Sequence, residues 1–341
     1  MAMDKIRFCL IGAGRAGMVH ARNVAFNIKN ADLTAIVDSQ EQVLQERGRE
    51  LGVSKLYTRL EEALGSKDFD AVIIVTPTFS HRNLVVACAE AGRQVFCEKP
   101  MAIRVSEAED MIGAVERAGV KLQIGFMRRF DPPFRRAKEL IDGGELGEVM
   151  LIKSVGRGPG LPPPWSYNVA ESNGLLGEVN SHDFDSTRWL AGGEYRRVYA
   201  EAVNRKVPEL REEHPDFYDN VVCTVRFDNE VIGTIDGTCP VGYGYDARTE
   251  IVMTKGLISI GETRGDALFS CDLDGVIKRS AYQSWRNRFR DGYLDEMKSF
   301  IASILEDKPT LVTGRDGRAA VAAVVAANES VRTGRPVEIE G

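Results

Sequence analysis

The sequence predicts an α/β chain of two domains: a doubly wound parallel sheet, then an α+β domain with a large, mostly antiparallel open sheet. Three observations predict it. The chain has 341 residues, beyond the roughly 250 to 300 at which one hydrophobic core stops growing. From residue 5 to about 125, short apolar runs alternate with stretches of helical period, the pattern of repeated βαβ units. After Arg129 the texture changes to a Pro-rich segment and period-two patches, the mark of antiparallel strands with one wet face. The expected division is 1–125 and 126–341, with the C-terminal helix packing back toward the first domain.

The elements read in order. Strands are expected at 7–11, 33–37, 55–57, 71–75, 94–97 and 121–124, separated by helices near 15–28, 40–51, 59–64, 80–91 and 105–118. Six strands are the full doubly wound complement. In the second half, 220–227 and 231–236 read as strands joined by a turn at Asp228, Asn229 and Glu230, followed by strands at 250–253 and 257–260. Stretches 293–305 and 318–332 read as closing helices. Leu175, Val179, His182 and Trp189 fall on one face if 175–190 is a single helix, and Glu178 and His182 then stack at i, i+4.

Composition narrows the function. A formal charge of −6 and a pI near 5.5 give no extended positive field, which argues against nucleic acid as a partner. The longest apolar runs, 71–75 and 319–327, fall short of the ~20 residues that cross a bilayer, and no signal segment is visible. The six cysteines contain no Cys-x-x-Cys pair and several lie inside apolar patterns, which points to a reducing cytoplasm. The four histidines show no zinc-ligand spacing, so a metal-free site is expected.

The strand at 7–11 runs into Gly12-Ala13-Gly14-Arg15-Ala16-Gly17, a G-x-G-x-x-G turn, and then into a helical stretch. Gly12 permits the tight turn, Gly14 lets backbone approach a pyrophosphate, and Gly17 lets the helix sit close to the strand. Alone, the hexapeptide is an ordinary βα turn. Asp38, at the end of the next strand, adds a carboxylate for the adenosine ribose, and with Ser39 and Gln40 after it a 2′-phosphate meets repulsion. The expected cofactor is NAD rather than NADP.

The fourth strand ends in Thr76-Pro77-Thr78 with His81 after it, and the fifth in Glu98-Lys99-Pro100, both at carboxyl ends where α/β sheets bind ligands. With Gly125-Phe126-Met127-Arg128-Arg129-Phe130-Asp131 and His182-Asp183-Phe184-Asp185, these motifs resemble the glucose–fructose oxidoreductase, inositol dehydrogenase and MocA family along nearly the whole chain, inositol dehydrogenases above all. The resemblance implies that Lys99 is catalytic, that the acid and histidine pair Glu178 and His182 accompanies it, and that Thr76, Pro77, His81, Glu98 and Lys99 line the cofactor. It further implies substrate contacts from Lys99, Glu178, His182 and Arg128, with Trp165 and Tyr245 (or Tyr243) as further candidates, and a homodimer or homotetramer. Each residue also has a plain structural reading: a strand-end cation for Lys99, a core imidazole for His182, a surface ion pair for Arg128, a sheet-packed tyrosine. The family usually carries Asp where this chain has Glu178.

The chemistry implied is hydride transfer from a secondary hydroxyl of a cyclitol or sugar to nicotinamide. Lys99 polarises the oxygen and His182, with an ordinary pKa of about 6.5, takes the proton. Two alternatives stand beside it: an oxidoreductase of glycosides, anhydrosugars or C-glycosides with tightly held cofactor, and a non-catalytic nucleotide-binding sensor or co-repressor, against which the retention of Lys99 and His182 argues.

Overall fold

The computed structural model describes residues 5–339. They divide into two compact units. One takes the chain through Phe130 together with Asp291–Arg318, and the other takes Asp131–Arg290 and the chain from Ala319 onward. A cut at residue 125 thus differs from the observed division at two places: 126–130 and 291–318 belong with the first unit.

The first unit holds β1 (Ile6–Ile11), α1 (Gly17–Arg22), β2 (Ala31–Val37), α2 (Glu41–Leu51), β3 (Lys55–Tyr57), α3 (Leu60–Leu64), β4 (Ala71–Ile74), α4 (His81–Glu90), β5 (Gln94–Glu98), α5 (Val105–Ala118) and β6 (Leu122–Gly125). All six strands are parallel, in the order β3-β2-β1-β4-β5-β6, so the winding reverses between β1 and β4. Every residue of β4 is buried, as expected of a strand covered on both faces. Helix α1 is shorter than the sequence pattern, because 23–27 continue as a π-helical turn. Helix α5 starts where Glu107 accepts the backbone N–H groups of Ile103 and Arg104, and it ends at Gly119, whose φ of +63° stops the helix.

The second unit opens with α6 (Pro132–Gly143) and β7 (Val149–Arg157), then three short helices, α7 (Val169–Ser172), α8 (Gly174–Glu178) and α9 (Ser181–Ala191). Strands β8 (Tyr195–Val203), β9 (Asn220–Phe227), β10 (Ile232–Thr238), β11 (Asp246–Met253) and β12 (Gly256–Ile260) follow, then a hairpin of β13 (Arg264–Cys271) and β14 (Ile277–Ala281). Helices α10 (Trp285–Arg288), α11 (Arg290–Leu305) and α12 (Gly314–Thr333) and strand β15 (Val337–Glu338) complete the chain. The seven-stranded sheet runs β12-β11-β7-β10-β9-β8-β15; only the β7 and β10 pair is parallel. One face is covered and one is open: along β9, Val221, Cys223, Val225 and Phe227 are buried while Val222, Thr224 and Arg226 are exposed. No helix among the described residues is long and apolar enough to cross a membrane.

Helix α11 belongs to the first unit from Asp291 on. Its apolar period places Met297, Phe300 and Ile301 in one cluster with Phe8, Leu10, Ile36 and Phe96 of the parallel sheet. Phe300 meets Phe8 and Phe96 at ring-centre distances of 6.3 and 5.9 Å. Gln123 of β6 donates to the Glu296 backbone carbonyl at 2.9 Å, fixing the helix against the strand.

Candidate active site

The glycine turn is built as its spacing requires. Gly12 takes φ +94°, and a Cβ there would lie 2.3 Å from the Val75 carbonyl oxygen, so only glycine fits. A Cβ on Gly17 would lie 2.0 Å from the Gly12 carbonyl oxygen, the close helix-to-strand packing the third glycine allows. At Gly14 a Cβ meets nothing within 4 Å: this glycine and Arg15 face outward, with Ala16 half-buried behind them. Asp38 closes the turn. Its carboxylate accepts the N–H of Ala13 at 2.9 Å and of Gln40 at 3.0 Å, and it stays half-exposed.

At the exits of β4 and β5 the side chains tie two loops together. The hydroxyls of Thr76 and Ser80 bond at 2.6 Å beside half-buried Pro77. His81 is buried, with Nε2 2.9 Å from the Thr76 carbonyl and Nδ1 2.9 Å from the Pro100 carbonyl. Burial holds its pKa below the ordinary value, against the pull of those carbonyls. A neutral imidazole carries one N–H and donates to one of these two carbonyls, so His81 packs between the two loops and is hydrogen-bonded to one of them. Glu98 ends β5, almost fully buried. Its Oε2 accepts the Lys99 backbone N–H at 2.9 Å and so shapes the loop that presents the half-buried Lys99 side chain. Arg128, on the 3₁₀ turn after β6, is only 1% exposed, which removes a surface ion pair as its role.

In the second unit, Glu178 and His182 do not share a helix. Glu178 ends α8, half-buried, and His182 is the second residue of α9, 7% exposed. The expected continuous helix over 175–190 breaks at Val179 and Asn180; Asn180, with φ −85° and ψ −4°, precedes α9, and its side-chain amide donates to Asp183 Oδ2 at 2.9 Å. Asp183 also accepts the Ser154 hydroxyl at 2.6 Å, which pins the first turn of α9 to β7. Two strand glycines make the space: a Cβ on Gly156 would lie 2.2 Å from Asp183 Oδ2, and one on Gly237 2.1 Å from Asn180 Oδ1. His182 sits between these two anchored residues. Tyr245 is buried edge-on against Phe289 at 6.1 Å, whereas the Tyr243 hydroxyl is engaged with Asp246 at 2.9 Å. Trp165 is half-buried on the 3₁₀ turn Pro164–Tyr167.

Sequence reasoning missed one group. His20 on α1, Glu98 on β5 and Glu296 on α11 are all buried and lie side by side behind the Lys99 loop. Treating the histidines as dispersed hid it: nothing in the local spacing connects residues on three elements so far apart.

A parallel sheet of this order with a glycine turn and a strand-end acid is the architecture of a dinucleotide-binding domain, and residues 6–126 match the model of the oxidoreductase family with the NAD-binding Rossmann fold. Residues 134–259 match the GFO/IDH/MocA C-terminal domain, and the chain belongs to the GFO/IDH/MocA family. It is 34% identical to the myo-inositol 2-dehydrogenase of Thermotoga maritima, over 98% of this chain and 99% of that one. It is 32% identical to the NAD(+)-dependent scyllo-inositol 2-dehydrogenase of Bacillus subtilis, over 98% and 97%. The crystal structure of scyllo-inositol dehydrogenase from Lactobacillus casei with bound NAD(H) and scyllo-inositol superposes with a TM-score of 0.92 at 29% identity, over 98% and 99%.

Proposed function

We propose that this chain is an NAD-dependent dehydrogenase that oxidises one secondary hydroxyl of a cyclitol. The observation that carries it is the Gly12 to Gly17 turn locked to Asp38, open in front of Gly14, in a chain similar over its whole length to inositol dehydrogenases. When bound, NAD supplies the hydride acceptor. The turn's backbone holds the pyrophosphate, and the exposed edge of Asp38 accepts ribose hydroxyls while repelling a 2′-phosphate. Thr76, Pro77 and the His81-braced loop line the cofactor side. Lys99 holds the reacting oxygen and stabilises the charge that develops on it, His182 takes the hydroxyl proton, and Glu178 orients the imidazole. Arg128, Trp165 and Tyr245 are the further candidates for contacts to the substrate. We place the enzyme in the cytoplasm as a homodimer or homotetramer, its open sheet face carrying the exposed apolar residues Val222, Ile232 and Leu257.

The test is NADH absorbance across a panel of cyclitols, aldoses and glycosides, with single-turnover rates for His182→Ala and Lys99→Ala. Cyclitol turnover and a hydride step slowed at least ~10²-fold in each variant are expected. Turnover of glycosides alone, or unchanged single-turnover rates, overturns the assignment.

A further inference from the structure

Three buried polar side chains meet in the first unit, and two of them, His20 and Glu296, have no role in the scheme above. His20 Nε2 lies 2.8 Å from Glu98 Oε1, and the other Glu98 oxygen carries the Lys99 amide, so both oxygens of that carboxylate are committed. Glu296 Oε1 lies 3.9 Å from the same Nε2. His20 and Glu296 are 0% exposed and Glu98 5%. Phe96 and Tyr293 pack on the imidazole at 4.9 and 5.5 Å, and Gly125 leaves room for the Glu98 carboxyl, since a Cβ there would lie 3.0 Å from its Cδ.

Two buried carboxyls this close oppose each other's ionisation, so one keeps a proton. Glu98 has two N–H donors for its negative charge. Neither oxygen of Glu296 has a hydrogen-bond partner among the described residues. The proton therefore stays on Glu296, and burial and the neighbouring Glu98 charge both push its pKa well above the ordinary value of 4.5. The groups facing it are His20 from α1 and Glu98 from β5, with uncharged Gln123 anchoring its backbone from β6.

We propose that Glu296 is a positioning residue of this dehydrogenase: as a neutral carboxylic acid it leaves the His20 N–H to Glu98 alone, and Glu98, held from both sides, fixes the backbone of Lys99. An ionised Glu296 draws the imidazole away from Glu98 and loosens the loop that presents the catalytic ammonium. The inference rests on the reading of Lys99 given above, and its tests separate the two.

Glu296→Gln, a neutral isostere, keeps kcat and KM within about threefold, while Glu296→Ala, which opens a void beside the imidazole and lets it shift away from Glu98, lowers kcat at least tenfold with NAD affinity little changed. Infrared spectra of the folded wild type show a protonated carboxylic acid band at neutral pH that Glu296→Gln lacks. Because the folded state keeps a proton that the unfolded chain releases above 4.5, wild-type stability declines as pH rises past that value, and Glu296→Gln removes that decline. Equal loss of kcat in Gln and Ala variants, absence of the infrared band, or one metal ion per chain that Glu296→Gln releases overturns the proposal. The spectrum and the melting curve decide even if no polyol is turned over, so failure of the enzymatic reading leaves this test standing.

Discussion

Replacing Gly14 by alanine separates cofactor binding from folding within one hexapeptide. A methyl at Gly14 meets nothing within 4 Å, and its φ is not among the positive ones, so folding stability should change by no more than about 0.5 kcal/mol. Gly17 is the control. There the methyl would fall 2.0 Å from the backbone carbonyl oxygen of Gly12, an overpacking that costs roughly 1–3 kcal/mol or more. The empty space at Gly14 is what a pyrophosphate needs to reach the amides of the turn. A methyl projecting into it lengthens one or two charge-assisted hydrogen bonds, each contributing about 1.5–3 kcal/mol, which corresponds to a Kd for NAD raised roughly 10- to 150-fold per bond lost. Fluorescence titration with NADH and a thermal melt of the same preparation measure both quantities. An unchanged Kd in Gly14→Ala, or a melting temperature as low as that of Gly17→Ala, refutes the division of labour between the two glycines.

Two further predictions concern the parts that hold the site. Gly237→Ala sets a methyl 2.1 Å from Asn180 Oδ1 and displaces the turn that carries His182; kcat should fall by up to ~10²-fold, the effect of a misplacement near 1 Å, with the Kd for NAD intact, and a wild-type kcat at unchanged melting temperature would contradict it. His81 is buried with its pKa lowered, so the unfolded chain binds its proton more readily; its contribution to stability is full above the ordinary value of 6.5 and lost as pH drops below it. Melting curves on either side of that value should show this slope in the wild type and a flatter one in His81→Gln.

What the sequence reveals depends on whether the geometry is made by neighbours along the chain. Strand, glycine turn, helix and strand-end acid follow one another within a single βαβ unit, so their residues could be read off in order, and the hydrogen bond from Ala13 to Asp38 is what that order implies. The same holds for the centre of the parallel sheet, where β4 and the last four residues of β1 are apolar without interruption because both faces are buried. Periodicity fails at Asn180: the apolar face from Leu175 to Trp189 persists straight through it, yet α8 stops at Glu178 and α9 starts afresh at Ser181, a break that the spacing of apolar residues does not encode. Charge misleads at Arg128, because a guanidinium adjoining other arginines reads as surface and the fold buries it.

Helix α11 shows the limit most sharply. Its period announces an apolar face, yet nothing in 290–305 says whether that face meets the antiparallel sheet just before it in the chain or the parallel sheet formed by the first 125 residues. Only the fit of Met297, Phe300 and Ile301 against Phe8 and Phe96 decides. Once that choice is made, Glu296 is carried inward with no freedom of its own, since it stands one position before Met297 and four before Phe300 on the buried face, toward His20. A buried carboxyl there adds no packing that a leucine could not supply, and burying it costs free energy unless it keeps its proton. A residue so placed is explained by what it does to its neighbours, and its nearest charged neighbour is the carboxylate that carries the Lys99 amide.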